Sequence, residues 1–181
     1  MIVTGHGWRR MGGVAVLAAI VLVLGCSSRD CDCPCGPSCN PGYPPDNSGK
    51  VTITQGIWGD VWFWRGSFMP NSHNGTITAV AREMRIHEIT RLDQVDQFPY
   101  TATFYTAIHT ALVATVHSDE AGFFQVELPP GRYSLFSVED VLGDTLFYAN
   151  EFDLDLNICP VLVEEGKVTH TRFAITYAAH W

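Results

Sequence analysis

The feature that most constrains the fold of this chain is an apolar residue at every second position in its later half. Over Phe124–Leu128 the apolar side chains alternate with Gln125 and Glu127. Pro129–Gly131 interrupts this run, and the alternation resumes over Arg132–Val138. Side chains of a strand point alternately to its two faces, and a Pro-Gly pair is typical of a turn. The pattern predicts two strands joined as a β-hairpin.

The same alternation recurs through residues 51–181, and no stretch has a convincing helical period for longer than two turns. Turn residues separate most of the runs. Roughly seven short strands in a segment of this length predict an all-β fold, an antiparallel Greek-key β-sandwich. The other runs are Ile57–Trp64, Glu83–Thr90, Thr110–His117, Thr145–Tyr148, Val161–Glu164 and Val168–Thr176.

The N-terminus has the pattern of a secretory signal peptide. Arg9 and Arg10 precede an uncharged apolar run, Met11–Leu24, which ends just before Gly25 and Cys26. A basic start and an apolar run of this length fit a signal peptide, and the run is too short to span a membrane. We predict a signal peptide over residues 1–25.

The residues at the expected cleavage site indicate that a lipid is attached. Val23-Leu24-Gly25-Cys26 resembles the lipobox of bacterial lipoproteins, although Leu24 is bulkier than the residue usual there. The resemblance implies a diacylglycerol thioether on Cys26 and an acyl chain, such as palmitate, on its new N-terminus. Ser27 in place of Asp implies an outer-membrane location if the organism is Gram-negative. The alternative is an ordinary signal peptide with a chance cysteine.

Charge limits the partners of the mature chain. The whole sequence has 11 basic and 19 acidic residues and a net charge of −8, and removal of Arg9 and Arg10 makes it more acidic. An acidic chain is a poor ligand for nucleic acid and for anionic lipid. We therefore expect membrane attachment through the acyl chains, no nucleic-acid partner and no cofactor.

Composition divides the mature chain in two. Residues 26–50 contain many prolines, glycines and cysteines but almost no large aliphatic residue, which predicts a disordered tether. Residues 51–181 are rich in apolar residues and predict one domain. Close cysteines in the tether form either disulfides or a site for a soft metal such as zinc or copper, and Cys159 makes the remaining number odd. The tether cysteines are Cys31, Cys33, Cys35 and Cys39.

One segment resembles a known family. Ser118–Tyr133 resembles the hallmark of carboxypeptidase regulatory-like domains, which are transthyretin-like sandwiches, and Gly56–Val61 resembles their first strand. Relative to a minimal domain of that family, the segment between Arg91 and Ala107 is an insertion. The resemblance implies a β-sandwich that serves as a non-catalytic accessory.

Two sets of residues are candidates for binding. Trp58, Trp62 and Trp64 share one side of the first predicted strand, either as part of a strand packed on both faces or as an exposed ledge for sugar rings. A second set, Asp153, Asp155 and Asn157, alternates along a predicted strand. These oxygens indicate either a calcium site or an acidic edge that discourages aggregation.

Catalytic motifs are lacking. The mature sequence has no nucleophile elbow, no P-loop and no zincin pair, and its histidines are scattered. We expect a non-enzymatic, lipid-anchored module of the cell envelope, with a structural or interaction role toward an envelope protein or glycan. The first alternative is a carbohydrate-binding module that uses the tryptophans. The second is an envelope hydrolase.

Overall fold

The computed structural model describes residues 45–71, 74–141 and 143–181. These residues form an all-β structure of two sheets with no α-helix, as the alternating sequence predicts. The described part contains no helix long and apolar enough to cross a membrane. The strands are β1 (Gly56–Ser67), β2 (Thr76–Ala79), β3 (Glu83–Glu88), β4 (Val95–Gln97), β5 (Phe104–Ile108), β6 (Leu112–His117), β7 (Phe123–Val126), β8 (Gly131–Val141), β9 (Asp144–Tyr148), β10 (Pro160–Val163) and β11 (Val168–His180).

The sequence prediction missed three strands, β2, β4 and β5. Strands β2 and β4 have only one large apolar residue each, and the apolar residues of β5 do not alternate with polar ones, so no period of two stands out. Strands β4 and β5 lie within or beside the predicted insertion, and they extend one end of the larger sheet. The segment between Arg91 and Ala107 therefore contributes to the sheet instead of forming only a loop.

The smaller sheet has four strands around β1. Strand β11 pairs with β1 along one side, and β7 and β2 share the other side. The pairing of β1 with β11 is parallel, so the prediction of a wholly antiparallel sandwich was wrong for the first and last strands. These strands are far apart in sequence, and no turn residues constrain their relative direction.

The larger sheet has seven strands and is built around β8. Strand β3 pairs with one part of β8, while β10 and β9 pair with its beginning and its end. All of its pairings are antiparallel. The order β4-β5-β9-β8-β3-β6 leaves β4 and β6 at the edges.

The predicted hairpin between Phe124 and Val138 was wrong. Strand β7 pairs with β1, whereas β8 lies in the other sheet. Pro129 and Pro130 carry no N–H group, so a ladder of hydrogen bonds cannot continue through this turn. The Tyr133 hydroxyl donates to the Pro129 carbonyl oxygen at 2.8 Å and fixes the chain where it crosses between sheets. Alternation showed that each run has a buried face but not which strand it pairs with.

The hydrophobic core lies between the two sheets. The smaller sheet contributes Ile57, Val61 and Phe173, and the larger sheet contributes Met84 and Leu135, all of them almost fully buried. Since side chains alternate along β1, the residues at 58, 60, 62 and 64 lie on its other face. The smaller sheet therefore presents its tryptophans on the side away from the core.

Candidate functional site

The candidate site is the outer face of the smaller sheet, which we call the open face. It is formed by the side chains at positions 58, 60, 62 and 64 of β1 and by their neighbours on β7 and β11. The three tryptophans singled out in the sequence share this face. Trp62 is buried, and Trp58 and Trp64 are half-buried.

At one end of the open face, Trp58 stacks on a histidine. The Trp58 and His170 rings lie 4.0 Å apart with an interplanar angle of 19°. His170 Nε2 lies 3.0 Å from Oδ2 of Asp60, whose other oxygen accepts a hydrogen bond of 2.7 Å from Asn47 Nδ2. The Asp60 carboxylate is buried but has partners on both oxygens, so it holds the His170 ring against Trp58.

The chain just before β1 also contacts the open face. Asn47 is buried, and its amide donates both to Asp60 and to the Ala121 carbonyl oxygen. Lys50 pairs with Asp119 at 2.8 Å and lies 5.4 Å from the centroid of the Phe123 ring. Residues 46–50, which the sequence assigns to the tether, are thus docked on the sandwich.

In the middle of the open face, a guanidinium lies over Trp62. The guanidinium carbon of Arg172 is 4.4 Å from the centroid of the Trp62 ring. Arg172 is exposed, and it makes no hydrogen bond or ion pair with any residue that the structure describes. The stack holds this cation in place while leaving its N–H groups to solvent.

At the other end, three aromatic rings form a cluster. Trp64 lies 5.1 Å from Phe68 and 5.6 Å from Trp181, and the rings of Phe68 and Trp181 are 5.2 Å apart. Trp181 is 68% exposed, and the buried Trp64 Nε1 has no acceptor among the described residues. The exposed Trp181 ring and the two partly buried rings beside it form an apolar surface that a ligand could cover.

Sequence reasoning missed Asn47, which hydrogen-bonds Asp60, and the ring partners of the tryptophans, which are Phe68, Phe123, His170, Arg172 and Trp181. The parallel pairing of β1 with β11 sets Trp58 opposite His170 and Asp60 opposite Arg172. No local pattern reveals the register of two strands so distant in sequence. The idea of a strand packed on both faces holds only in part, because the tryptophans contact side chains of their own sheet and lie outside the core cluster.

The predicted strand through Asp153, Asp155 and Asn157 was wrong, since residues 154 and 155 form a turn. Asp153 Oδ1 accepts the N–H groups of Asp155 and Asn157, and Oδ2 accepts hydrogen bonds from the Asn157 amide and from Arg132. The Asn157 amide and these other donors lower the pKa of Asp153. Four donors already surround this carboxylate, which therefore closes a turn and pairs with Arg132.

No group of three or more His, Cys, Asp or Glu side chains is placed to hold a metal within residues 45–71, 74–141 and 143–181. The predicted lipid site Cys26, the signal peptide and the tether cysteines Cys31, Cys33, Cys35 and Cys39 lie outside these residues. Cys159 is a free thiol buried in the core, and burial raises its pKa. A buried neutral thiol is unreactive, which accounts for the odd cysteine as a core residue.

The described histidines occupy separate places. His87 is buried beside the Thr110 carbonyl oxygen, while His109 and His117 pair with Asp96 and Glu83 at the surface. In the described part of the chain, no histidine forms a hydrogen bond with a serine or cysteine side chain. The pairs seen here orient side chains without presenting a nucleophile.

Comparison of the chain with family models, curated proteins and solved structures finds no match.

Proposed function

We propose that this protein is a lipid-anchored, non-catalytic β-sandwich module of the cell envelope that binds an envelope partner through its open face. The observation that carries the proposal is the open face itself. It combines half-buried tryptophans with an unpaired guanidinium on the side of the sheet that faces away from the core. Aromatic residues and arginine are the side chains most enriched where proteins bind partners.

The anchor in this proposal is the lipid on Cys26. It is supported by the basic start, the apolar run and the lipobox-like residues before Cys26. A tether to residue 45 would leave the domain free to meet a partner near the membrane surface. The proposed location is the outer membrane if the organism is Gram-negative.

For the fold, we propose a Greek-key, transthyretin-like sandwich of the carboxypeptidase regulatory-like type. The hallmark segment supports it. Asp119 Oδ1 accepts the N–H groups of Ala121 and Phe123, and Gly122 has a φ of 77°, which suits glycine. Phe124 and Tyr133 pack into the core from either side of the Pro-Pro-Gly turn.

The non-catalytic part of the proposal is supported by the roles of the polar side chains. Buried Glu139 pairs with Arg82 at 3.0 Å and accepts hydrogen bonds from Ser137 and Tyr177. Asp60 holds His170, and Asp153 closes a turn. Each of these three carboxylates has a structural role. This makes an envelope hydrolase a weaker candidate than a non-catalytic module.

The second candidate function is carbohydrate binding by the same face. It is favoured by the cluster of Trp64, Phe68 and Trp181 and by the stack of Trp58 on His170. Flat rings with one exposed side suit the CH face of a sugar. Retention of the protein on a polysaccharide column would favour this candidate over a protein partner.

The anchor is tested with Cys26→Ala in cells supplied with labelled palmitate. The parent chain is expected to incorporate label and to partition into detergent, whereas the variant does neither. Cys31→Ala is the matched control, because it removes a nearby thiol and should leave labelling unchanged. Equal labelling of parent and Cys26→Ala would refute the anchor.

The binding face is tested by capture from envelope extracts with the full chain purified in detergent. The double variant Trp58→Ala and Trp181→Ala is expected to lose the captured partner. Tyr100→Ala is the control, because Tyr100 is a fully exposed aromatic residue in the larger sheet's edge region. Capture that survives the double variant but is lost with Tyr100→Ala would contradict the proposal.

A further inference from the structure

The open face holds a cation that is ready for an anionic ligand. Of the other five described arginines, Arg65 neither pairs with a carboxylate nor lies over an aromatic ring, and the remaining four each pair with a carboxylate of this chain: Arg82, Arg85, Arg91 and Arg132. Arg172 is exposed and has no such partner among the described residues. The carboxylate opposite it in the register, Asp60, is bound instead by Asn47 and His170.

The stack on Trp62 prepares Arg172 for binding. The indole lies 4.4 Å beneath the guanidinium carbon and restricts the motion of the side chain, so less entropy is lost when a ligand binds. A guanidinium presents its N–H groups as a planar fork that matches a carboxylate with two parallel hydrogen bonds. The site therefore favours a planar anionic group at the edge of a ligand.

A surface for a sugar ring lies beside this cation. His170 and Arg172 lie on the same face two residues apart on β11, about 7 Å along the strand, and the Arg172 guanidinium lies over Trp62, four residues from Trp58 on β1. The Trp58 ring and the cation are therefore about 13 Å apart along the sheet, a span that neighbouring rings of one polysaccharide can cover. His170 also holds Trp58, whose ring remains half-exposed.

We infer that the open face binds an acidic polysaccharide, with one sugar ring stacked near Trp58 and the carboxylate of a neighbouring ring held by Arg172. This inference rests on the proposed function, in which the open face is the binding surface. The chain as a whole has a net charge of −8, so its overall field does not attract a polyanion. Binding must therefore depend on the local contact with Arg172.

The test compares two polysaccharides with the same backbone, polygalacturonate and its uncharged methyl ester. The full chain in detergent is titrated with each by calorimetry. The parent protein is expected to bind the acid form at least tenfold more tightly than the ester. Arg172→Ala should weaken binding of the acid form about tenfold or more, since a hydrogen bond to a charged group is lost, and should leave the ester unaffected.

Two further variants separate charge from stacking. Arg91→Ala removes the same charge from an exposed arginine outside the smaller sheet, and it should bind like the parent. Trp58→Ala should weaken binding of both polysaccharides. A thermal melt of each variant checks that it is folded.

The outcomes distinguish this inference from the proposal on which it rests. Equal binding of acid and ester, lost with Trp58→Ala but not with Arg172→Ala, would overturn the acidic ligand and retain a sugar-binding face. Binding of neither polysaccharide would also overturn the inference. The capture experiment would still decide whether the open face binds a protein. If Arg91→Ala and Arg172→Ala weaken binding of the acid form equally, a specific contact between Arg172 and the carboxylate is contradicted.

Discussion

The outer faces of the two sheets differ in how completely other parts of the chain cover them. On the larger sheet, His87, Ser134 and Phe136 lie on the outer face, and each is buried. On the smaller sheet, Trp58 and Trp64 remain half-exposed, and Arg172 has no partner among the described residues. We call the outer face of the larger sheet the covered face. The comparison supports the proposal that the open face is the binding surface.

Connecting segments close the covered face. The Thr90 N–H donates to Ser134 Oγ at 2.9 Å, and the Thr90 and Thr110 hydroxyls are 2.6 Å apart. The Tyr105 and His87 rings pack against Phe136 at 5.9 Å and 5.7 Å. Burial also raises the pKa of Tyr105 to about 12. Among the described residues, the short segment around Asn47 and Lys50 has a similar role at one end of the open face.

The largest expected effect compares one aromatic residue from each face. Phe136→Ala should lower the free energy of unfolding by about 3 to 5 kcal/mol, because it leaves a cavity in a fully buried site. Trp58→Ala should cost less, about 1 to 2 kcal/mol, since its ring is only partly buried. Urea denaturation of the full chain in detergent, followed by circular dichroism, measures both. If the two variants lose the same free energy of unfolding, the two faces do not differ in their contribution to stability.

A smaller effect is expected at the edge of the open face. Asn47→Ala should cost about 1 to 2 kcal/mol, because buried Asp60 loses one of its two partners. Hydrogen exchange should become faster over residues 46–52. Lys50→Ala is the matched control in the same segment. Its ion pair with Asp119 is exposed, so the expected cost is below about 0.5 kcal/mol. Similar losses from both variants would show that the segment is held by charge and not by the Asn47 amide.

The smallest effect is a pH dependence from the covered face. Burial lowers the pKa of His87 below its ordinary value of 6.5, so the folded protein holds the imidazole neutral. Between the two pKa values the unfolded chain binds more protons, and stability falls as the pH drops below 6.5. The parent should lose more stability than His87→Gln between about pH 7.5 and about pH 5.5. Identical pH profiles would show that His87 is not held neutral.

Much of the strand content could be predicted from the sequence because burial of one face leaves a period of two. The runs at Ile57–Trp64 and Val168–Thr176 correspond to β1 and β11. Their parallel pairing could not be predicted, because it depends on contacts between the first and last strands. Strand β4 was missed because it has only one large apolar residue.

The candidate site was predictable only on one strand. The period along β1 placed Trp58, Trp62 and Trp64 on one face, as the structure has them. Their partners His170 and Arg172 lie on β11. Identifying these partners requires the register of β11 against β1. At Asp153 the alternation of acidic residues indicated a strand, but hydrogen bonds from the next residues to its carboxylate form a turn instead.

The most direct test of the open face as the binding surface is hydroxyl-radical footprinting of the protein in intact cells. Oxidation of Trp58 and Trp181 would be compared between intact cells and the purified full chain, with fully exposed Tyr100 as the internal reference. The account predicts that both tryptophans are several-fold less oxidised in cells, while Tyr100 is unchanged. Unprotected tryptophans, or protection of Tyr100 alone, would contradict it.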